Sequence, residues 1–438
     1  MSIVIRGAAL PDGTQRDLFI DGGTYAREIS GTPRHVIDAA GLLALPGLVD
    51  LHTHLREPGF EQSETVLSGS QAAAVGGFTA VFAMANTMPV GDTAGVVEQV
   101  HALGEAHGYV TVQPIGAVTV GLAGERLAEI GAMAQSRAAV RVFSDDGQCI
   151  HDSLLMRRSL EYVHTFDGVV AQHAQDPRLT IDAQMNEGVV SGELGLTGWP
   201  AVAEESIIAR DALIAEHVGA RLHICHVSTA GSVEVIAWAK ARGIQITAEV
   251  TPHHLLLNEE LVRGFDSRFK VNPPLRRDED THALRAGLAA GTIDIVATDH
   301  APHPPEAKEC AWAEAANGMV GLESALSVIQ HAMVDPGHLT WTDVSRVLSV
   351  KPAQIGRIPG YETPFANGSP ANLTIIDPNA KGEFTIDRLV GKGRNSPYIG
   401  MALPGRVIAT IHNGYPTVID GQLLDSESVA AYAKESRG

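Results

Sequence analysis

Eight short, almost continuously apolar runs recur through the middle of this 438-residue chain, at residues 47–52, 79–84, 110–115, 140–143, 168–173, 221–226, 245–250 and 293–298. A run that is apolar at nearly every position, rather than at every second one, is what a strand covered on both faces requires, and parallel strands are covered in this way. Intervening stretches such as 153–164, 201–217 and 232–242 carry apolar residues three and four apart, the helical period. Eight strand–helix units in succession predict an α/β chain built on a (β/α)8, or TIM, barrel, with an open doubly wound sheet as the alternative.

The ends of the chain are patterned differently. Ile3-Val4-Ile5, Asp17-Leu18-Phe19-Ile20 and His35-Val36-Ile37 are β-like runs separated by the turns Pro11-Asp12-Gly13 and Asp21-Gly22-Gly23. Near the other end, 371–376 and 406–411 read as strands, the second followed by the hairpin signal Asn413-Gly414. Hairpins alone are marginal, so both ends are expected to pair into one small β domain, residues 1–46 with 360–438, attached to a barrel of residues 47–359.

The 51 acidic and 32 basic residues leave a formal charge of −19. That field repels phosphate backbones and anionic lipid, which argues against nucleic-acid and membrane partners and for a small-molecule substrate. Cys149, Cys225 and Cys310 are too few for a disulfide framework and lack zinc-ribbon spacing, so a cytoplasmic setting is expected. The opening MSIVIRGAAL lacks the charged lead and long apolar run of a signal peptide, and no apolar stretch reaches the roughly 18 residues of a membrane span.

A barrel places functional side chains at the C-terminal ends of its strands. The first predicted strand ends in Asp50-Leu51-His52-Thr53-His54, and the fourth runs into Ser144-Asp145-Asp146-Gly147. The fifth and sixth end at His173 and His226, and the eighth in Thr298-Asp299-His300. Imidazole and carboxylate suit zinc and similar divalent ions. Residues two apart on a strand share a side, so His52 and His54 can grip one ion. Any one of these histidines alone reads as a satisfied core or surface group; five strand ends carrying ligand types together read as a metal site. Cys225 is expected to face away as a buried apolar residue. His253-His254 are expected to pack a loop, and His101, His107 and His164 to lie on helix surfaces. Gly76-Gly77 should end a helix before the second strand, and Asp278-Glu279-Asp280 should open a solvated one.

Pro46-Gly47-Leu48-Val49-Asp50-Leu51-His52-Thr53-His54-Leu55-Arg56-Glu57-Pro58-Gly59 resembles the first signature of the dihydroorotase family, within the amidohydrolase superfamily. Ala297-Thr298-Asp299-His300-Ala301-Pro302-His303 resembles the second. Phe143-Ser144-Asp145-Asp146-Gly147, His223-Ile224-Cys225-His226-Val227-Ser228 and Val271-Asn272-Pro273-Pro274-Leu275-Arg276 are similar to the intervening blocks. The resemblance spans nearly the whole chain and is nearest to the class I bacterial branch. It implies a TIM barrel with a small β-sandwich formed by both termini. It also implies zinc-dependent, reversible cyclisation of N-carbamoyl-L-aspartate to L-dihydroorotate in de novo pyrimidine (UMP) biosynthesis.

By motif position the resemblance implies Zn2+ on His52 and His54 and a second Zn2+ on His173 and His226, with Asp146 bridging and Asp299 completing the first shell; a single-zinc state stays open. Many relatives bridge with a carboxylated lysine, and no lysine stands at this position here. Adjacent Asp145 and Asp146 point opposite ways, and the family's separation from His173 selects Asp146.

Asp299 is implied as the catalytic proton-transfer group. Arg56, two residues past His54, can project over the same mouth, and its fork suits a substrate carboxylate. The resemblance adds Asn86, Asn272, His303 and the backbone at Asn317 and Gly318. An aromatic residue often precedes that glycine in the family, so at Asn317 only a backbone contact is expected. Residues 303–318 read as a lid. The rival activities are a hydantoinase- or allantoinase-type cyclic amidase, opposed by the missing lysine and by Arg56, and a catalytically silent scaffold for aspartate transcarbamoylase, opposed by the complete ligand set. A homodimer and an association with aspartate transcarbamoylase both stay open.

Overall fold

Each of the eight central runs forms a strand: Leu48–Thr53, Phe78–Ala83, Thr111–Pro114, Val142–Phe143, Val169–Gln172, Leu222–Ile224, Ile246–Val250 and Ile295–Val296. The structure, a computed structural model describing residues 1–437, has a mixed α/β fold. The first three of these strands make one parallel sheet and the other five a second. Parallel bridges between Gly116 and Phe143, and between Thr53 and His300, connect the two sheets at both of their edges.

The runs are apolar at nearly every position because both faces are covered. Val49, Leu51, Ala80, Phe82, Val169 and Ala171 pack with one another in one cluster. Their neighbours Leu48, Val81, Val170, Leu222 and Ile246 pack in another, which includes the helix residues Ile207, Ile208, Ile236, Leu284 and Leu288. Each such Val, Leu, Ile or Phe side chain stabilises the fold by about 1.5–3 kcal/mol relative to exposure.

Helices follow the strands as the periodicity requires. Ser153–His164 begins where the Asp152 carboxylate accepts the Leu155 amide, a side-chain N-cap. Val202–Val218 and Ala230–Ala241 cover the other two predicted stretches. Val66–Val75 ends at Gly76, and Gly77, at φ +88°, swings the chain into the second strand. A Cβ on Gly77 would stand 2.5 Å from Thr374 Cγ2, so glycine is required there on both counts. Asp278–Ala290 opens with the three predicted acids, although Asp280 is buried and accepts the Ala230 amide.

The two ends of the chain meet. Leu43–Pro46 lies antiparallel to Leu373–Glu383, with Ala44 opposite Ile375, and Ala9 of the strand Ser2–Ala9 pairs with Leu43 on its other side. Among the described residues the terminal strands form one nine-stranded sheet. Ile3, Ile5, Ile20, Ile375 and Ile411 share a core on it. Asn413 and Gly414, both at positive φ, make the hairpin between Ala402–His412 and Tyr415–Ile419. No helix among the described residues is long and apolar enough to cross a membrane.

Candidate metal centre and active site

The strand ends converge. Asp146 Oδ1 lies 3.4 Å from His52 Nε2, 3.4 Å from His173 Nδ1 and 3.3 Å from His226 Nε2. Its other oxygen is 3.4 Å from His54 Nε2. Asp299 Oδ1 stands 3.0 Å from His54 Nε2 and 3.5 Å from His52 Nε2. Residues separated by as much as 247 positions (52 to 299) therefore share one centre, as the sequence predicts. Asp145 turns the other way, accepting the amides of Val118 and Thr119 and the Thr119 hydroxyl, so Asp146 is the aspartate that faces the histidines.

The spacing fits a divalent ion. Ligands about 2.0–2.1 Å from a tetrahedral metal stand about 3.3–3.4 Å from one another, the separation found around Asp146 Oδ1. His52, Asp146 and His226 form one group able to hold a cation, and His52, His54 and Asp299 another. His52 Nε2 is buried with no hydrogen-bond partner in the structure, and it points at both aspartates. Burial would strip His52 of its proton, yet Asp146, Glu249 and Asp299 hold its pKa well above the ordinary value. Burial would also raise Asp146 and Asp299, and the imidazoles keep both below the usual carboxylate range. A pocket that holds charge on buried imidazoles and carboxylates is one whose field a divalent cation satisfies.

A further layer fixes the rings. Glu249 Oε1 accepts from His52 Nδ1 at 2.6 Å, Asn86 Oδ1 from His54 Nδ1 at 3.0 Å, and Gln175 Oε1 from His173 Nε2 at 2.8 Å. With a cation in place, each contact would fix a tautomer with the opposite nitrogen free to ligate; in the structure His173 Nδ1 lies 2.8 Å from His226 Nε2. Asp50, in the first strand, accepts the Thr298 amide and hydroxyl and ties that strand to the one carrying Asp299. Sequence reasoning missed Glu249 and Gln175. The signal for Glu249 was there: one acid inside the apolar run Ile246-Thr247-Ala248-Glu249-Val250. Cys225 is buried in the apolar cluster with Val49 and Ile295, but its Sγ lies near His52 and Glu249, so it does not face away from the centre as the sequence reading expects.

Three site residues that are not glycine adopt left-handed backbone: Arg56 at φ +63°, His226 at +30° and Asp299 at +49°. Such conformations cost roughly 1–3 kcal/mol each and persist only where the surroundings impose them.

A cavity of about 230 Å³ opens over the centre. His54, Asp146, His173, His226 and Asp299 line it, with His52 fully buried behind them. Arg56, Asn86, Asn272, His303, Asn317 and Gly318 line it too, so all six expected substrate contacts come together. Arg56 Nε donates to Pro302 O at 3.3 Å, and among the described residues no carboxylate pairs with its fork. Asn86 is partly committed, since its oxygen serves His54. His303 donates from Nε2 to Asn317 O at 2.8 Å; burial and then Arg56 push its pKa down to about 3, which keeps it neutral.

The remaining histidines fall outside the cluster, although His253 still feels the charges of Asp299, His226 and His52. His253 and His254 are buried on the short helix Pro252–Leu256, and His254 bonds Thr251 and Pro273 O. His101, His107 and His164 lie on helices, His164 exposed and the other two half-buried.

Over residues 41–232 the sequence matches the family described as Dihydro-orotase-like. It is 70% identical over 428 residues to a protein named dihydroorotase from Leifsonia xyli, covering 97% of this chain and 98% of that one. It is 62% identical to a dihydroorotase of Streptomyces coelicolor, covering 96% and 99% of the two chains. With a dihydroorotase of Mycobacterium tuberculosis the identity is 52%, covering 97% of this chain and all of that one. Among solved structures, an L-hydantoinase (dihydropyrimidinase) from Arthrobacter aurescens superposes with a TM-score of 0.86 over 97% of both chains at 24% identity. A dihydropyrimidinase from Brevibacillus agri reaches 0.82 at 21% identity, over 98% of this chain and 97% of that one. At these identities the structures establish a shared fold.

Proposed function

The chain belongs to the dihydroorotase family, and from that premise and the chemistry of the cavity we infer how it interconverts N-carbamoyl-L-aspartate and L-dihydroorotate, with release of water on ring closure. The observation that carries the mechanism is one cavity with a carboxylate–imidazole cluster at its floor and, in its wall, a guanidinium that no carboxylate pairs with among the described residues.

His52 and His54 would hold one zinc ion, His173 and His226 a second, with Asp146 between them and Asp299 beside the first. Zinc held there would supply a Lewis acid and a water whose pKa is brought to about 7. Asp299, kept in its carboxylate form, accepts the proton of the attacking water and passes it to the ring nitrogen as the amide C–N bond breaks. Ring closure reverses this, with Asp299 starting protonated. Arg56 pairs with the substrate carboxylate through its fork, supplying a local positive charge in a protein of net charge −19. Asn272, neutral His303 and the backbone at Asn317 and Gly318 orient the ring.

The architecture we infer is a (β/α)8 barrel over residues 47–359, with a small β-sandwich from 1–46 and 360–438. The bridges at Gly116–Phe143 and Thr53–His300 support ring closure of the two parallel sheets. The register shift between Asp377 and Lys381 gives the terminal sheet a place to fold over. The reaction places the protein in pyrimidine biosynthesis, and the three free cysteines support a cytoplasmic setting.

Hydantoinase-type activity shares the fold, but Asp146 stands where a bridging lysine would be required, and Arg56 is suited to a substrate bearing a carboxylate. The test is turnover of L-dihydroorotate, hydantoin and allantoin by the purified protein, with metal analysis before and after chelation. Loss of L-dihydroorotate turnover on chelation, restored by Zn2+, is expected. Turnover that survives complete metal removal, or a preference for hydantoin, would refute the reading.

A further inference from the structure

Two buried lysines lie outside the chemistry described above. Lys270 and Lys308 are 4% and 5% exposed, and neither forms an ion pair among the described residues. A buried charge without a counter-charge is costly unless it is fully hydrogen-bonded. Main-chain carbonyls take all three donors of Lys308 and two of those of Lys270. Lys308 Nζ donates to Ala316 O at 2.7 Å, Gly318 O at 3.1 Å and Lys270 O at 3.2 Å. Lys270 Nζ donates to Trp312 O at 2.6 Å and Ala313 O at 3.3 Å, and Gly318 N donates back to Lys270 O at 2.9 Å.

These carbonyls belong to Lys270 and to the segment that runs from the short helix Pro305–Lys308 to the cavity wall at Asn317 and Gly318. From 309 to 318 the segment has no helix or strand to hold it. His303 is tied to it through Asn317 O, so a displacement of 316–318 moves the imidazole as well. An ammonium places three donors on one tetrahedral nitrogen, which is what three converging carbonyls require and what a planar guanidinium does not offer.

We propose that Lys308, backed by Lys270, is the positioning residue for the substrate-facing wall. It fixes the main chain at Asn317 and Gly318, and through it His303, so the wall is shaped before the ligand arrives and does not close over it as a lid. This rests on the reading that the cavity takes the carboxylate-bearing cyclic substrate.

The experiment uses the full chain with Lys308→Met, which keeps the apolar stem and removes all three donors. KM for L-dihydroorotate is expected to rise about tenfold or more, with kcat within about threefold, since the proton-transfer and metal-holding groups sit on other elements. Metal content should stay at the unmodified level, and amide hydrogen exchange across 311–318 should accelerate. Lys270→Met leaves Lys308 in place and should show the same pattern at smaller amplitude, which decides the matter if Lys308→Met does not fold. Unchanged KM, unchanged exchange, or a collapse of kcat together with metal content would each overturn the positioning role. Failure of the unmodified protein to turn over L-dihydroorotate would instead sink the functional reading, leaving hydrogen exchange to decide whether the lysines hold the wall.

Discussion

Glu249 Oε1 lies 2.6 Å from His52 Nδ1, with both side chains excluded from solvent. The same carboxylate reaches His223 Nε2 at 3.0 Å through its other oxygen and accepts the His226 amide at 3.2 Å. One acid on the strand Ile246–Val250 thus orients one candidate ligand by its ring and another by its backbone.

Glu249→Gln keeps the shape and removes the charge behind His52. Metal affinity should fall by about 10- to 100-fold, the usual cost of losing such an outer partner. Competition with a chelator of known affinity measures this, and an unchanged affinity would show that Glu249 serves only packing.

Asp299→Asn should lower kcat by about 10²- to 10⁴-fold while the thermal transition stays near that of the parent protein. Near-normal turnover would remove Asp299 from the proton-transfer role.

Arg56→Lys retains the charge and loses the planar fork. KM should rise by about ten- to a hundredfold, matching roughly 1.5–3 kcal/mol of lost charge-assisted bonding, with kcat little changed. Steady-state kinetics with L-dihydroorotate decide it; a KM like the parent's would leave the substrate carboxylate without an assigned partner.

Gly318→Ala should be harmful on two counts. Gly318 sits at φ +131°, and a Cβ there would meet Ala301 Cβ at 2.7 Å and His303 Nε2 at 3.0 Å. About 1–3 kcal/mol of stability should be lost along with a raised KM. A parent-like melting temperature and KM would mean that the wall yields freely.

His303 gives a pH signature. Its folded pKa of about 3 lies below the unfolded value of 6.5, so below pH 6.5 the unfolded chain binds a proton that the folded one refuses. Stability is therefore lost progressively as pH falls from 6.5 toward 3 and is unaffected above that window. Melting curves of His303→Gln should converge on or overtake the parent's as the pH drops from 7 to 4; a gap independent of pH would count against the burial of a neutral imidazole.

Much of this was legible in the sequence because burial on both faces leaves a run of apolar residues, and a polar side chain at the end of such a run has few reasons to be there. Hence the eight strands, the helix Ser153–His164 and the convergence of His52, His54, Asp146, His173, His226 and Asp299 could be read from pattern. Gln175, Lys270 and Lys308 could not, since single polar residues in irregular segments or at the end of a one-turn helix look the same whether they face water or a distant carbonyl. The choice between Asp145 and Asp146 rests on Val118 and Thr119, 26 and more residues away, whose amides claim one carboxylate. Which residues a strand buries is a local property, whereas which partners it meets depends on elements that no window of sequence contains.

The pairing of Leu43–Pro46 with Leu373–Glu383 has a consequence for biosynthesis. The strand bearing His52 begins two residues after a segment whose antiparallel neighbour is made more than 300 residues later. On the ribosome, the earliest ligands must wait for nearly the whole polypeptide before the edge beside them is secured, so truncation near the C-terminus should release that strand first.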